Sequence, residues 1–299
     1  IFYDSLLPSV AKKEKRDFVS SLGYALGYIG GAILFLINVT MYLNPAFYGI
    51  ANAAEAIKLS FLTVAIWWAV FSIPILIFVK EHSVKDDLGI IKSIQLGWSQ
   101  LLTTLKSIRE LKIVTTFLVA YWLYIDGVDT MIRMSVDYGT SLGFSSSSLI
   151  TALLMVQFIA FPATLIYSWF AKKIGIKKGI LIGIVGYAMI SILGSMVSKE
   201  WHFYTLAVFI ACFQGGIQAL SRSLYSRIIP ESRSAEFFGF YNMFGKFAAI
   251  IGPPLMGFIG LITGNPRYGI LSIIILFVLG GYFLNKVDVE EGERLAQEY

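Results

Sequence analysis

Eight stretches of the chain are predominantly apolar for about twenty residues at a time, each long enough to cross a hydrocarbon layer about 30 Å thick as a helix. They cover residues 19–43, 57–79, 111–134, 147–170, 178–197, 201–225, 237–262 and 267–284. In the first, Gly23, Gly27 and Gly31 recur every fourth position, a spacing that lets a neighbouring backbone approach closely in lipid. The second contains Pro74, which predicts a kink. Between the second and third spans lies a charged stretch, residues 80–110. Within it Ile91, Ile94, Trp98, Leu101, Leu105 and Ile108 fall at steps of three and four, one apolar stripe on an amphipathic helix. That helix either lies in the cytoplasmic membrane interface or packs beneath the bundle. The pattern predicts an all-α polytopic membrane protein: two spans in residues 1–79, a linker over 80–110, six spans in 111–285, and a polar, acidic tail, 286–299, expected to be mobile.

Composition agrees with this reading and then narrows it. Hydrophobic residues make up 57% of the 299 and charged ones 14%, where a soluble domain carries roughly a quarter charged. The net charge of +5 is not a nucleic-acid footprint, because Lys and Arg do not form one patch. They gather in alternate loops, as Lys12, Lys13, Lys15 and Arg16, then Lys172, Lys173, Lys177 and Lys178, then Arg222, Arg227 and Arg233. The intervening loops hold single cations, Lys58, Arg133, Lys199 and Arg267. This is the positive-inside pattern, and it puts both ends of the chain in the cytoplasm. Cys212 is the only cysteine, and His82 and His202 are isolated, so neither a metal site nor a histidine-based triad can be built. A phosphate loop, a GxSxG elbow and an HExxH pair are all absent. We therefore expect no catalytic residues, no cofactor and no metal, with a small-molecule substrate and the lipid bilayer as partners of a monomer.

Ionisable groups at membrane depth are the functional candidates. Asp126 lies roughly 21 Å along its helix from Lys112, past the midplane, and Gly127 beside it suggests a local break. A carboxyl shielded from water can exchange protons near neutral pH, which makes Asp126 the proton-coupling candidate. Asp129 and Arg133 are four residues apart, spaced either for a gating ion pair or for an outer-end cap and surface pair. Lys246, roughly 13 Å from Phe237, either faces a substrate or snorkels toward the cytoplasm. Gln214, Gln218 and Arg222 recur at every fourth position as a polar stripe reaching the cytoplasmic side, in keeping with a water-lined cavity or with interhelical hydrogen bonds. Asn242, Gln157, Tyr24 and Tyr28 are weaker candidates of the same kind.

Several of these segments resemble a known family. Residues 16–31, RDFVSSLGYALGYIGG, resemble the fifth helix of the autophagy-related vacuolar effluxer family of the major facilitator superfamily, particularly its bacterial members. YWLYIDGVDT at 121–130 is similar to its seventh helix, GIQALSRS at 216–223 to its tenth, and EFFGFYNMFGK at 236–246, followed by Gly252-Pro253, to its eleventh. The resemblance implies that helices five to twelve of a twelve-helix transporter are present and one to four absent, consistent with two spans before the linker and a start at Ile1. Between helices eight and nine the superfamily's loop signature is echoed by Ser168, Lys173, Gly175, Lys177 and Lys178, with Lys172 in place of its usual acid. The resemblance further implies alternating-access transport of a small polar solute, an amino acid among the candidates, in the inner membrane of a bacterium. A carboxylate would then be held by Arg222 or Lys246 and an amine by Asp126. A scaffold or receptor that keeps the transporter fold without transporting is the competing class.

Overall fold

A computed structural model describes residues 2–79, 97, 99, 103 and 111–298, and all of its regular elements are helical. In chain order they are α1 (Phe2–Ser5), α2 (Leu7–Val10), α3 (Arg16–Leu43), α4 (Ala53–Phe78), α5 (Lys112–Ser141), α6 (Ser146–Ile174), α7 (Ile176–Ser195), α8 (Glu200–Ile228), α9 (Ser234–Phe247), α10 (Gly252–Thr263), α11 (Pro266–Ser272), α12 (Ile274–Asn285) and α13 (Val289–Glu298). Among the described residues, seven helical stretches are long and apolar enough to cross a membrane. The eighth predicted span, α5, has 30 residues, but Asp126, Asp129, Arg133 and its tyrosines lower its apolarity. Of the predicted linker helix, Gly97, Ser99 and Thr103 are helical, and the rest of 80–110 falls outside the described residues.

The chain divides into two compact units, Gly27–Ser99 and a larger one combining Ile1–Leu26 with Gln100–Tyr299. In the smaller unit Thr63 on α4 donates to Asn38 Oδ1 on α3 at 2.9 Å, an interhelical bond of the kind that holds helices together in lipid. Here α4 remains helical through Pro74. A side chain at Gly27 would meet nothing within 4 Å among the described residues, whereas one at Gly23 would meet the Tyr3 hydroxyl at 2.8 Å.

The larger unit is a helix bundle with an aromatic core in which Tyr124, Tyr187, Tyr225, Phe117, Phe237, Phe238 and Phe277 are fully buried. Small residues set its tightest contacts. A β-carbon on Gly127 would come within 2.7 Å of the Phe277 ring, and one on Gly280 within 2.8 Å of the Tyr124 backbone, so α5 and α12 pack almost backbone to backbone. Three buried tyrosine hydroxyls find partners on other helices: Tyr124 with Ser221 at 2.6 Å, Tyr138 donating to the Gly194 carbonyl at 2.7 Å, and Tyr167 to that of Gly179 at 2.8 Å. Such pairing is required where water is excluded.

Three local expectations need correction. First, α5 runs unbroken through Gly127, which serves the close approach of Phe277 rather than a helix break. Second, the break lies in the span predicted at 237–262, which is split into α9 and α10 around residues 248–251. Pro253 and Pro254 explain it, because each lacks an N–H and crowds the carbonyl four residues back, so they start a new helix instead of continuing the old one. Third, the tail is not a loose end. Residues Val289–Glu298 form α13, with Gly292 seated against Ile228 and Ile113, and Glu293 paired with Lys13 at 2.8 Å.

Candidate functional site

Within the larger unit, residues of α3, α5, α8 and α9 line a cavity of about 160 Å³ that is open on one side. Its polar lining is Tyr24, Tyr121, Asp129, Arg133, Gln218, Asn242 and Lys246. Two cations and one carboxylate thus meet at the same place, with Asn242 and Lys246 at least 109 positions from Asp129 and Arg133 in sequence, near enough for all to touch one small solute. Asp129 and Arg133 approach to 3.9 Å, a loose pair on one face of α5, with Arg133 the more exposed partner. Lys246 has no ion pair within 4.0 Å among the described residues. Asn242 donates its amide to the Phe238 carbonyl at 2.9 Å, and that bond fixes its rotamer at the cavity wall. Behind the wall Tyr121 stacks on Tyr241 at 4.2 Å between ring centroids, and Tyr241 on Tyr225 at 5.0 Å. A rigid aromatic plug therefore closes the cavity on that side.

Three sequence candidates lie elsewhere. Asp126 is fully buried and lines no part of this cavity. Its carboxylate accepts from the backbone N–H of Ile251 at 3.0 Å and of Gly252 at 2.9 Å, with the Thr130 hydroxyl at 3.3 Å from Oδ1. Gln214 lines a separate, apolar cavity of about 50 Å³ with Met131, Leu149, Phe203 and Ile210, and its Oε1 is buried with no hydrogen-bond partner among the described residues. Arg222 does not open toward the cytoplasm. It is buried, donating to Asp4 at 2.8 Å, to the Ser20 hydroxyl at 2.9 Å and to the Ser20 carbonyl at 2.9 Å, with its guanidinium 4.6 Å from the Tyr24 ring centroid.

That arginine belongs to a wider network at the basic end of the bundle. Arg227 pairs with Asp17 at 2.7 Å and Glu293 at 3.7 Å, and Arg16 pairs with Glu231 while donating to the Ser226 carbonyl at 2.9 Å. Sequence reading missed Asp4, Asp17 and Glu293, since single acids beside lysine-rich loops carry no periodic signal. Lys177 caps the end of α12, donating to the carbonyls of Asn285 at 2.8 Å and Val287 at 2.7 Å. Tyr24, a weak candidate from sequence, does line the cavity. Among the described residues no three His, Cys, Asp or Glu side chains stand together as a metal ligand set.

The model of the family described as "Vacuole effluxer Atg22 like" matches residues 7–297. The chain belongs to this family. An uncharacterized MFS-type transporter of Bacillus subtilis, YxiO, is 38% identical over 300 residues, covering 100% of this chain and 69% of that protein. Autophagy-related protein 22 of Yarrowia lipolytica is 25% identical over 93% of this chain and 51% of its own length, and that of Vanderwaltozyma polyspora 26% identical over 96% and 61%. The chain therefore spans about half to two thirds of the length of the proteins it matches. The family's description names an effluxer and the Bacillus subtilis relative is named a transporter, neither of them an enzyme class, and the chain is itself an all-α polytopic membrane protein.

Proposed function

We propose that this chain carries the solute-binding part of a secondary active transporter that works by alternating access. The carrying observation is the cavity in which Asp129, Arg133, Gln218, Asn242 and Lys246 converge on about 160 Å³, a volume below that of pockets for drug-sized ligands. A zwitterionic solute such as an amino acid fits its chemistry. The carboxylate would meet Lys246 or Arg133, the amine would meet Asp129, and Gln218 and Asn242 would supply neutral hydrogen bonds. Arg222 is the poorer carboxylate ligand, because its donors already serve Asp4 and Ser20. Proton coupling falls to Asp129 rather than Asp126, since Asp129 lines the cavity and both oxygens of Asp126 accept backbone N–H groups. Arg222 and the neighbouring pairs act as a gate at the basic end. That end faces the cytoplasm of a bacterial cell, where the positive-inside rule puts it.

The test is flux in proteoliposomes holding the full-length protein, with radiolabelled amino acids and an imposed pH gradient. Wild type should accumulate or release at least one amino acid. Lys246→Met and Asp129→Asn should each lower flux at least about tenfold, while the purified variants stay monodisperse. Wild-type flux no higher than that of empty liposomes would favour a scaffold that keeps the fold without transporting, and variant flux equal to that of a transporting wild type would remove this cavity from the solute's path.

A further inference from the structure

A helix broken inside a membrane leaves carbonyls at the end of its first half and N–H groups at the start of its second, and each must find a partner. Here one carbonyl of the first set and two N–H groups of the second find partners on one helix. On α5, the indole N–H of Trp122 donates to the carbonyl of Phe247, the last residue of α9, at 3.1 Å. One turn on, Asp126 accepts from Ile251 and Gly252, where α10 begins. Another turn on, the Thr130 hydroxyl steadies Asp126. Residues 122, 126 and 130 are thus a strip along α5 that holds the break on both sides.

The fit at Gly252 shows how close the start of α10 comes to the side chains of α5. A β-carbon there would collide with the Thr130 hydroxyl and come within 2.7 Å of Asp126 Oδ1. The carboxylate also lies at the N-terminus of a 12-residue helix, the end that favours negative charge. Lys246, the cavity cation, is the residue immediately before Phe247, and a β-carbon on its other neighbour, Gly245, would meet the Tyr121 hydroxyl at 3.2 Å. The peptide that carries Lys246 is therefore gripped on both sides by α5.

We propose that Trp122, Asp126 and Thr130 splint the break between α9 and α10 and thereby set the position of Lys246 in the cavity, with Asp126 a positioning residue rather than a ligand of the solute. This rests on the cavity being the transport site, but its structural core is testable without transport. Replacing Asp126 by Asn puts an amide on a site built for two N–H donors, and its nitrogen cannot accept, so one donor loses its partner.

The experiment uses the full-length protein in a Cys212→Ser background, with single cysteines at 246 or 242, and measures the rate of reaction with a membrane-impermeant cationic methanethiosulfonate. Asp126→Asn should change the rate at 246 by about tenfold or more and leave that at 242 within about twofold. Asp126→Glu should recover part of the difference, and Trp122→Phe should shift it in the same direction by less. Hydrogen exchange of the peptide spanning 248–255 should rise in step. An unchanged rate at 246, or equal changes at 246 and 242, would overturn the proposal, the second because it reports general loosening. Should Asp126→Asn fail to fold, Trp122→Phe carries the same test, since it keeps an aromatic side chain there and removes the indole donor. Absence of flux from wild type would sink the transport reading and leave these labelling rates standing.

Discussion

Arg227 on α8 lies 2.7 Å from Asp17 at the start of α3, a contact between residues 210 positions apart. The Ser223 hydroxyl donates to the same carboxylate at 2.5 Å, so each oxygen of Asp17 has its own donor. Both side chains are 18% exposed, which screens the pair less than a surface pair. A double-mutant cycle with Asp17→Asn and Arg227→Gln should return a coupling of about 0.5–3 kcal/mol in thermal or denaturant unfolding. Strict additivity of the two single variants would show that the pair contributes nothing.

The same arginine is the anchor of the tail. Glu293 on α13 reaches Arg227 at 3.7 Å and Lys13 at 2.8 Å, while Gly292 lets the helix settle on Ile228 and Ile113 at hypothetical β-carbon distances of 2.9 and 3.0 Å. Gly292→Val should therefore lift α13 from the bundle, and limited proteolysis should cut after residue 288 much sooner than in wild type. Glu293→Gln should have a smaller effect that shrinks as salt rises, because part of its pairing is exposed. A tail equally resistant in all three proteins would contradict the docking.

Gly127 is where a local sequence cue pointed to the wrong cause. With the Phe277 ring 2.7 Å from where its β-carbon would be, Gly127→Ala overpacks the α5–α12 contact. The expected cost is about 1–3 kcal/mol, seen as a lower unfolding temperature in detergent. Adding Phe277→Leu should return part of that loss. A Gly127→Ala protein as stable as wild type would mean that the ring moves aside freely.

The spans were legible because twenty apolar residues in a row have one economical structure in lipid, and that logic needs no tertiary information. The cavity was partly legible for a similar reason: Asp129, Arg133, Gln218, Asn242 and Lys246 stand out by their chemistry against apolar neighbours. What sequence could not assign was which polar residues share a cavity. Gln214 and Gln218 sit one turn apart on α8, but they line different cavities, because α5 and α6 face Gln214 whereas α3, α5 and α9 face Gln218. The break was signalled by Gly252-Pro253-Pro254, yet its effect is read only once Asp126 is seen to take up the freed N–H groups. The ion pairs of Asp4 and Asp17 were hidden for the same reason as any contact 200 residues long.

That division of the two glutamines makes the sharpest mutational contrast. Gln214 is 8% exposed, its Oε1 has no described partner, and the residues around it are mostly apolar. A buried acceptor without a donor is a standing cost, and an apolar group of similar shape removes it. Gln214→Leu should be neutral or raise the unfolding temperature, and leave flux within about twofold of wild type. Gln218→Leu removes a hydrogen-bonding side chain from the polar cavity and should lower apparent affinity for the solute about tenfold or more, with little change in stability. Thermal unfolding and concentration-dependent flux on the two variants check both halves. The reverse outcome, with Gln214→Leu abolishing flux and Gln218→Leu sparing it, would move the solute into the apolar cavity and displace Lys246 and Asp129 from the binding site.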